Sequence, residues 1–229
     1  MSAPRLLVIE PEANCPPGYV GGWLDDEGVD QAVCRPYLGE PVPTDLDGYD
    51  GLLVLGGEMS VYDDAAYPWL TDAKTLVRAV VHTDAPTLGI CLGHQLMTVA
   101  LGGQVRPNPA GKAMGVTPVG WHGAAAHDPL VGMMPADALA VHWNDDVATE
   151  LPAAARVLAT TDDGAPQVVR FAPRAWGVQL HPEAGADIVA SWRSPSRRAA
   201  AALADIRVHE PVLQRTWQPM VKAFAAQLS

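Results

Sequence analysis

Short apolar runs alternate with amphipathic stretches along the first part of the chain. Runs of about four to six residues rich in Leu, Val, Ile and Ala are typical of buried strands. The predicted strands cover residues 6–9, 52–55, 87–90, 139–142, 156–159, 168–171 and 175–180. Two stretches between the early strands repeat apolar residues at helical spacing, which predicts helices over residues 68–81 and 93–101.

The alternation of strand and helix predicts an α/β fold with a doubly wound, mostly parallel sheet and flanking helices. Such sheets bind ligands at the carboxyl ends of their strands. The strand-rich stretch from about 103 to 180 predicts an antiparallel edge or a β-rich flap. A length of 229 residues favours one domain, with residues 1–190 as its body. Residues 191–229 are predicted to form a helical C-terminal extension, with one or two helices over 197–206 and 212–227.

Charge and cysteine content argue against several classes of function. The 26 acidic and 15 basic residues give a formal net charge of −11, whereas phosphate binding requires clustered Lys and Arg, so no nucleic-acid partner is expected. Neither the three cysteines (Cys15, Cys34 and Cys91) nor the histidines show metal-ligand spacing, so no disulfide, metal or cofactor is predicted. The apolar run at 6–9 is too short for a signal-peptide core or a membrane span, which favours a cytoplasmic protein without a membrane partner.

Basic residues concentrate in the C-terminal extension. Residues 191–229 contain two acidic residues and six basic ones, namely Arg193, Arg197, Arg198, Arg207, Arg215 and Lys222. Two interpretations follow: helices docked on an acidic body, or a surface for a partner.

Cys91 lies between a predicted strand and a predicted helix, with Gly89 and Gly93 two residues to either side. A sharp strand-to-helix turn crowds these flanking positions, and glycine relieves the crowding. The thiol at the apex is expected to project outward, at the positive end of a helix dipole that favours the thiolate. The backbone N–H of Leu92 points to where an oxyanion could form. The pattern predicts a nucleophilic Cys91, whereas the other two cysteines are expected to be buried and inert.

A histidine and a carboxylate lie near the end of the last predicted strand. Side chains two apart on an extended chain project to the same side, so His181 and Glu183 are expected to face together, with Pro182 restraining the backbone. An imidazole and a carboxylate so placed can act as a base and its orienter. Gly56 and Gly57, at the end of the second predicted strand, allow a backbone N–H to turn toward developing negative charge.

Three segments together resemble the class I glutamine amidotransferase family. They are Gly-Gly-Glu-Met-Ser-Val-Tyr-Asp-Asp at 56–64, Gly-Ile-Cys-Leu-Gly-His-Gln at 89–95 and Gly-Val-Gln-Leu-His-Pro-Glu at 177–183. The chain is most similar to the amidotransferase domain of GMP synthase and its free-standing relatives, over roughly residues 5–190. The resemblance implies a flavodoxin-like fold and hydrolysis of the γ-amide of glutamine, or of another γ-glutamyl small molecule.

The resemblance also implies residue roles. Cys91 would be the nucleophile, His181 the base and Glu183 the orienting acid, with oxyanion donors in the backbone of Gly57 and Leu92. The implied substrate-binding residues are Gly56, Gln95, Asn144, Asp145 and Asp146. The last three belong to His-Trp-Asn-Asp-Asp-Val at 142–147, which departs from the family's commoner His-Gly at its third and fourth positions.

The sequence leaves several roles open. The chain ends within about forty residues of the resemblance, so a whole GMP synthase is not expected. A glutaminase that delivers ammonia to a separate synthase and a free-standing γ-glutamyl peptide hydrolase would use one mechanism. A DJ-1-like thiol or redox protein of related fold is a further alternative, although that family does not carry the His-Pro-Glu motif. A non-catalytic regulatory subunit would not require the three residues.

Overall fold

Twelve strands and five α-helices form the described part of the computed structural model, which covers residues 3–192 and 195–228. The strands are β1 (Arg5–Ile9), β2 (Asp30–Cys34), β3 (Gly51–Val54), β4 (Thr87–Ile90), β5 (Gln104–Pro107), β6 (Ala113–Pro118), β7 (Gly120–Trp121), β8 (Leu139–Asn144), β9 (Asp146–Glu150), β10 (Arg156–Thr160), β11 (Pro166–Ala172) and β12 (Ala175–Val178). The helices are α1 (Gly18–Asp26), α2 (Trp69–His82), α3 (Leu92–Ala100), α4 (Ala186–Ser191) and α5 (Arg197–Ala225).

Eight strands form one sheet in the order β2-β1-β3-β4-β12-β11-β10-β7. The pairs from β2 to β12 are parallel, and those from β12 to β7 are antiparallel. Two antiparallel ribbons, β5 with β9 and β6 with β8, stand apart from this sheet. The predicted mostly parallel α/β fold is therefore confirmed, and the strand-rich second half supplies both an antiparallel edge and separate ribbons.

The apolar runs of the central strands fill both faces of the sheet. In β1, Leu6 and Val8 join the core under α1 and α5, whereas Leu7 and Ile9 join the core under α2 and α3. Burial on both faces explains why the parallel strands have continuous apolar sequences rather than alternating ones. Each Å² of apolar surface that these two cores remove from water contributes about 25 cal/mol.

Seven elements were not individually predicted, namely strands β2, β5, β6, β7 and β9 and helices α1 and α4. Strands β5, β6, β7 and β9 lie in the stretch 103–180, which was predicted only to be rich in strands. Strand β2 is an edge strand with one buried residue, Cys34, and it lacks a strong apolar run. Helix α1 carries glycines, which weaken a helical pattern, and α4 is short. Strand β12 ends at Val178, two residues before the predicted end.

The C-terminal extension is one long helix rather than two. One or two helices were predicted over 197–206 and 212–227, and α5 covers both segments without a break. It continues through Pro211 and Pro219, although proline disfavours a helix interior. Buried Ile206 and Leu213 on either side anchor the helix to the body. Helix α5 packs against α1, α4 and β6, in line with the docking interpretation. Of the basic residues counted there, Arg193 lies outside the described residues.

None of the helices in residues 3–192 and 195–228 is both long and apolar enough to cross a bilayer. No group of three or more His, Cys, Asp or Glu side chains in those ranges is arranged to hold a metal ion.

Candidate active site

Cys91 occupies the sharp turn that connects β4 to α3. Its backbone has φ 50° and ψ −105°, a strained conformation for a non-glycine residue. A Cβ added to Gly93 would lie 2.1 Å from the carbonyl oxygen of Val54, and one added to Gly89 would lie 2.6 Å from the backbone of Gly93. The turn therefore requires glycine at both flanking positions, for the steric reason that the sequence suggested.

The Cys91 side chain is more enclosed than predicted. The thiol was expected to project outward, but the residue is only 6% exposed. Its side chain lies at the wall of a cavity, because the loops that follow β1 and β8 and the ring of Trp192 surround the turn. The expectation of an outward-facing thiol is wrong, and access to the sulfur is through the cavity.

His181 and Glu183 meet in a turn, not on a strand. Strand β12 ends at Val178, and the chain then turns, with the N–H of His181 donating to the carbonyl of Val141 in β8 at 2.9 Å. The prediction of an extended chain through these residues is wrong in geometry. The expected contact nevertheless forms, with His181 Nδ1 2.7 Å from Glu183 Oε1 and both side chains buried.

The pKa of His181 is raised well above its usual value. Burial alone would lower it, but the charges of Glu183 and of the Cys91 sulfur outweigh that cost. The second ring nitrogen, Nε2, is buried and makes no hydrogen bond to a described residue. The imidazole lies with its centre 4.6 Å from the ring of Trp192, which limits its rotation. The arrangement favours a charged imidazolium whose Nε2 remains available to a reacting group.

Gly56 and Gly57 bring the end of β3 against these groups. An added Cβ at Gly56 would lie 3.4 Å from His181 Cε1 and 3.7 Å from Cys91 Cβ. An added Cβ at Gly57 would lie 3.0 Å from the Leu92 side chain. The N–H of Leu92 is the first of α3 and has no acceptor within the helix. Three distant segments thus converge on one small volume.

The converging groups line a cavity of about 730 Å³, including its open mouth. Its lining residues are Glu12, Asn14, Cys15, Gly57, Glu58, Met59, Cys91, Gln95, Lys112, Trp143, Asn144, Asp145, Asp146, His181 and Trp192. Four of the five predicted substrate-binding residues are in this wall, and Gly56 adjoins it. Gln95 Nε2 donates to the carbonyl of Asp146 and to Gln179 Oε1, each at 3.2 Å.

Sequence reasoning missed the loop after β1. Cys15, predicted to be an inert core residue, lies in the cavity wall, where an added Cβ at Gly56 would be 3.9 Å from its sulfur. Burial, followed by the charges of Glu183, Cys91 and Glu12, raises the pKa of Cys15 far above that of a free thiol. The sequence signal for this loop was Gly18, which has φ 51°. A Cβ added to Gly18 would lie 2.2 Å from the carbonyl oxygen of Glu183, so only glycine lets the loop pack against that backbone.

The cavity also contains residues for which no sequence signal existed. Lys112 reaches it from the segment before β6 and pairs with Asp145 at 2.6 Å. Trp143 and Trp192 lie side by side, with ring centroids 6.0 Å apart. These residues come from segments far apart in sequence, and no local pattern predicts that they meet.

Comparison with known proteins identifies the class. A family model described as "Glutamine amidotransferase class-I" matches residues 34–187. The chain belongs to the class I glutamine amidotransferase family, as the three motifs led us to expect. The glutamine amidotransferase-like protein YfeJ of Salmonella typhimurium is 30% identical over 164 residues, which are 70% of this chain and 68% of that protein.

Relatives whose names state an activity fall into two groups. Gamma-glutamyl peptidase 3 of Arabidopsis thaliana is 27% identical over 170 residues, which are 72% of this chain and 67% of that protein. GMP synthase of Symbiobacterium thermophilum is 34% identical over 137 residues, which are 59% of this chain but only 25% of that protein. A crystal structure of a glutamine amidotransferase from Methylobacillus flagellatus matches all of this chain and 96% of its own, with a TM-score of 0.87 and 26% identity.

Proposed function

We propose that this protein hydrolyses the γ-amide of glutamine, or of a related γ-glutamyl amide, through Cys91, His181 and Glu183. The observation that carries the proposal is the buried 2.7 Å contact between His181 and Glu183 beside the cavity that Cys91 lines. Cys91 would be the nucleophile, His181 the acid and base, and Glu183 the group that orients and charges the imidazole.

The reaction would begin from a thiolate–imidazolium pair. Attack of the Cys91 sulfur on the γ-carbonyl gives a tetrahedral oxyanion, which accepts hydrogen bonds from the backbone N–H groups of Gly57 and Leu92. His181 Nε2 gives its proton to the leaving nitrogen as the C–N bond breaks, which leaves a glutamyl thioester and a neutral imidazole.

Water then completes the cycle. The neutral His181 takes a proton from water as the oxygen attacks the thioester, and a second oxyanion forms in the same place. When the C–S bond breaks, the thiolate and the imidazolium are restored and glutamate is released. Glu183 stays ionised throughout, since its part is to hold the ring and stabilise its charge.

The glutamyl end of the substrate is assigned to the wall that contains Gly56, Gln95 and the loop from Asn144 to Asp146. Carboxylates of this loop suit the α-ammonium group, and Lys112 suits the α-carboxylate. Burial, together with the charges of Asp145 and Asp63, raises the pKa of Asp146, and a bound ammonium would relieve this crowding of negative charge.

The leaving group decides between two roles. Ammonia delivered to a separate synthase is one outcome, and the likeness to GMP synthase supports it. Hydrolysis of γ-glutamyl peptides is the second, and the likeness to Gamma-glutamyl peptidase 3, which covers two thirds of that protein, supports it. The test is free glutamate released from glutamine and from a panel of γ-glutamyl peptides.

Two variants make that test specific. Cys91→Ala should abolish glutamate release, whereas Cys34→Ala, a buried cysteine outside the cavity, should retain it. A diazoketone analogue of glutamine should label the wild type at Cys91. Full activity in Cys91→Ala would overturn the mechanism, as would the absence of both turnover and labelling. Ready oxidation of Cys91 by dilute peroxide in a protein that turns over no amide would favour the thiol protein instead.

A further inference from the structure

A buried glutamine lies against the sulfur of Cys91, and the proposed mechanism does not use it. We propose that Gln179 is a positioning residue that donates a hydrogen bond to Cys91 Sγ and thereby favours the thiolate. The proposal rests on the proposed function only in taking Cys91 as the nucleophile. It assigns a task to the third residue of the Gly-Val-Gln-Leu-His-Pro-Glu segment, between the strand and the His181 turn.

The contact is direct and enclosed. Gln179 Nε2 lies 3.5 Å from Cys91 Sγ, within hydrogen-bond distance for a sulfur acceptor, and Gln179 has no exposed surface. Both backbones are fixed, because Gln179 follows β12 directly and the N–H of Cys91 donates to the carbonyl of Val178 at 2.8 Å. A buried amide on a fixed backbone loses little entropy when it holds the sulfur in place.

The orientation of the Gln179 amide follows from its neighbours. The carbonyl of Asp146 can only accept a hydrogen bond, so the Gln95 atom that meets it at 3.2 Å must be Nε2. That same Nε2 lies 3.2 Å from Gln179, which must therefore present its oxygen there. The remaining atom of the Gln179 amide, the N–H₂ group, faces Cys91. One backbone carbonyl thus fixes both amides.

The orientation determines what the sulfur can do. Facing an N–H donor, Cys91 Sγ must accept, and a thiolate accepts far better than a thiol because hydrogen bonds to charged groups are the stronger ones.

Other groups also act on this sulfur. His181, with its partner Glu183, and Cys15 lie close to it, since an added Cβ at Gly56 would be 3.4 Å from His181 Cε1, 3.7 Å from Cys91 Cβ and 3.9 Å from Cys15 Sγ. The other charged residues that line the cavity are Glu12, Glu58, Lys112, Asp145 and Asp146. Of these charged groups, the His181 imidazolium and Lys112 favour the thiolate, as does the N-terminal end of α3. Gln179 adds a hydrogen bond to the sulfur that carries no charge.

The same geometry gives Gln95 a second role, which is to orient the Gln179 amide. Its N–H₂ group already bonds Gln179 and Asp146, so its part in the site includes holding Gln179, beyond the substrate contact that the family resemblance implied. Removal of the Gln95 amide would leave Gln179 free to turn its oxygen toward the sulfur.

The test is the pH dependence of Cys91 alkylation by iodoacetamide, followed by peptide mass spectrometry. Gln179→Met keeps the volume and removes the donor, and we expect the midpoint for Cys91 to rise by about one to two pH units. Gln179→Glu places a carboxylate at the sulfur, and its midpoint should rise further. Gln95→Met should give a smaller rise, and it serves as the test if Gln179→Met does not fold.

Gln167 offers a matched control. It is equally buried and lies next to Gln179, whose N–H donates to the Gln167 carbonyl, but its amide bonds Ala165 rather than Cys91. Gln167→Met should leave the midpoint unchanged. An unmoved midpoint in folded Gln179→Met, or an equal shift in Gln167→Met, would overturn the proposal. Alkylation needs no substrate, so a shift in a protein that releases no glutamate would leave this inference standing while the proposed function fails.

Discussion

The pKa of a buried histidine is shifted up in the turn after β12 and down in the interior beside it. His181 in the turn, His94 in α3 and His142 in β8 are all at most 4% exposed. Burial lowers the pKa of His94 to about 4. Burial, followed by the charge of His181, lowers the pKa of His142 to about 4. The pKa of His181 is instead raised, although burial again acts to lower it.

Negative partners account for the difference, first the Glu183 carboxylate and then the Cys91 sulfur. His181 Nδ1 meets Glu183 at 2.7 Å, whereas neither ring nitrogen of His94 or His142 has a hydrogen-bond partner among the described residues. Burial by itself makes a histidine neutral and chemically quiet. A buried imidazole becomes a proton donor only where the chain also places a negative charge within contact, and here a two-residue turn does so.

The largest expected effect comes from removing that carboxylate. Glu183→Gln should lower the pKa of His181 toward the values of the other two rings and reduce kcat/KM for amide hydrolysis by about 10²- to 10⁴-fold. Steady-state glutamate release measures it. Glu10→Gln is the control, since Glu10 is a buried carboxylate paired with Arg35 and Tyr37 outside the cavity, and its turnover should stay unchanged. A loss below about fivefold in folded Glu183→Gln would break the comparison.

The two cavity cysteines should differ by the same rule. Cys91 and Cys15 are each 6% exposed, but Cys91 faces the imidazolium, whereas Cys15 faces Glu12 and Glu183. Because the thiolate is the reactive form, iodoacetamide at pH 7 should modify Cys91 at least about 100-fold faster than Cys15. Peptide mass spectrometry over time measures the ratio.

Glu183→Gln sharpens the same measurement. It weakens the positive charge at Cys91, so Cys91 should be modified more slowly. It also removes a negative charge near Cys15, so Cys15 should be modified faster, and the ratio of the two rates should fall. Faster modification of Cys15 than of Cys91 in the wild type would contradict the electrostatic account.

The sequence predicts the part of the fold that depends on local pattern. Strands β1, β3, β4 and β12 are buried on both faces, so their apolar runs are continuous and readable. Strand β2 lies at the sheet edge with one face half exposed, and its pattern is too weak to predict. Helix α5 runs through Pro211 because tertiary packing outweighs a local preference that predicts a break.

The candidate site likewise contains residues that local motifs predict and residues that they do not. Cys91, His181 and Glu183 lie in short motifs whose spacing carries the chemistry, so the sequence identifies them as candidates. Cys15 enters the cavity only because its loop docks on the His181 turn, and the hydrogen-bond chain from Gln95 through Gln179 joins residues 84 positions apart. Contacts of this kind depend on packing, which no local pattern records.

A smaller effect concerns stability and pH. The unfolded chain protonates the His94 ring below about pH 6.5, but the folded ring is protonated only below about pH 4, so acid lowers the free energy of unfolding through this window. Through this ring, the wild type should lose about 2 kcal/mol of its free energy of unfolding between pH 7 and pH 5. His94→Met should not show this part of the loss. His181 contributes with the opposite sign, since its raised pKa supplies stability at low pH that is lost as the pH rises.

Urea unfolding at the two pH values checks the His94 prediction. The exposed His82→Leu variant controls for removal of a histidine without changing the buried ring. An equal loss of stability between pH 7 and pH 5 in wild type and His94→Met would show that the buried ring does not resist protonation, and the contrast with His181 would then disappear.

The smallest expected effect tests whether a short distance alone makes an ion pair matter for stability and catalysis. Lys112 and Asp145 are 2.6 Å apart, as close as His181 and Glu183, but their side chains are 31% and 69% exposed. Water screens such a pair, so Lys112→Met should change the free energy of unfolding by less than about 1 kcal/mol. Among the described cavity-lining residues Lys112 is the only Lys or Arg, so its loss should raise KM for glutamine about twofold to fivefold and leave kcat unchanged. Lys222→Met, at an exposed pair with Glu27 outside the cavity, should change neither constant.

A fall in kcat for Lys112→Met comparable to that of Glu183→Gln would contradict this account. It would mean that an exposed ion pair can matter as much as a buried one, and that Lys112 takes part in the reaction itself.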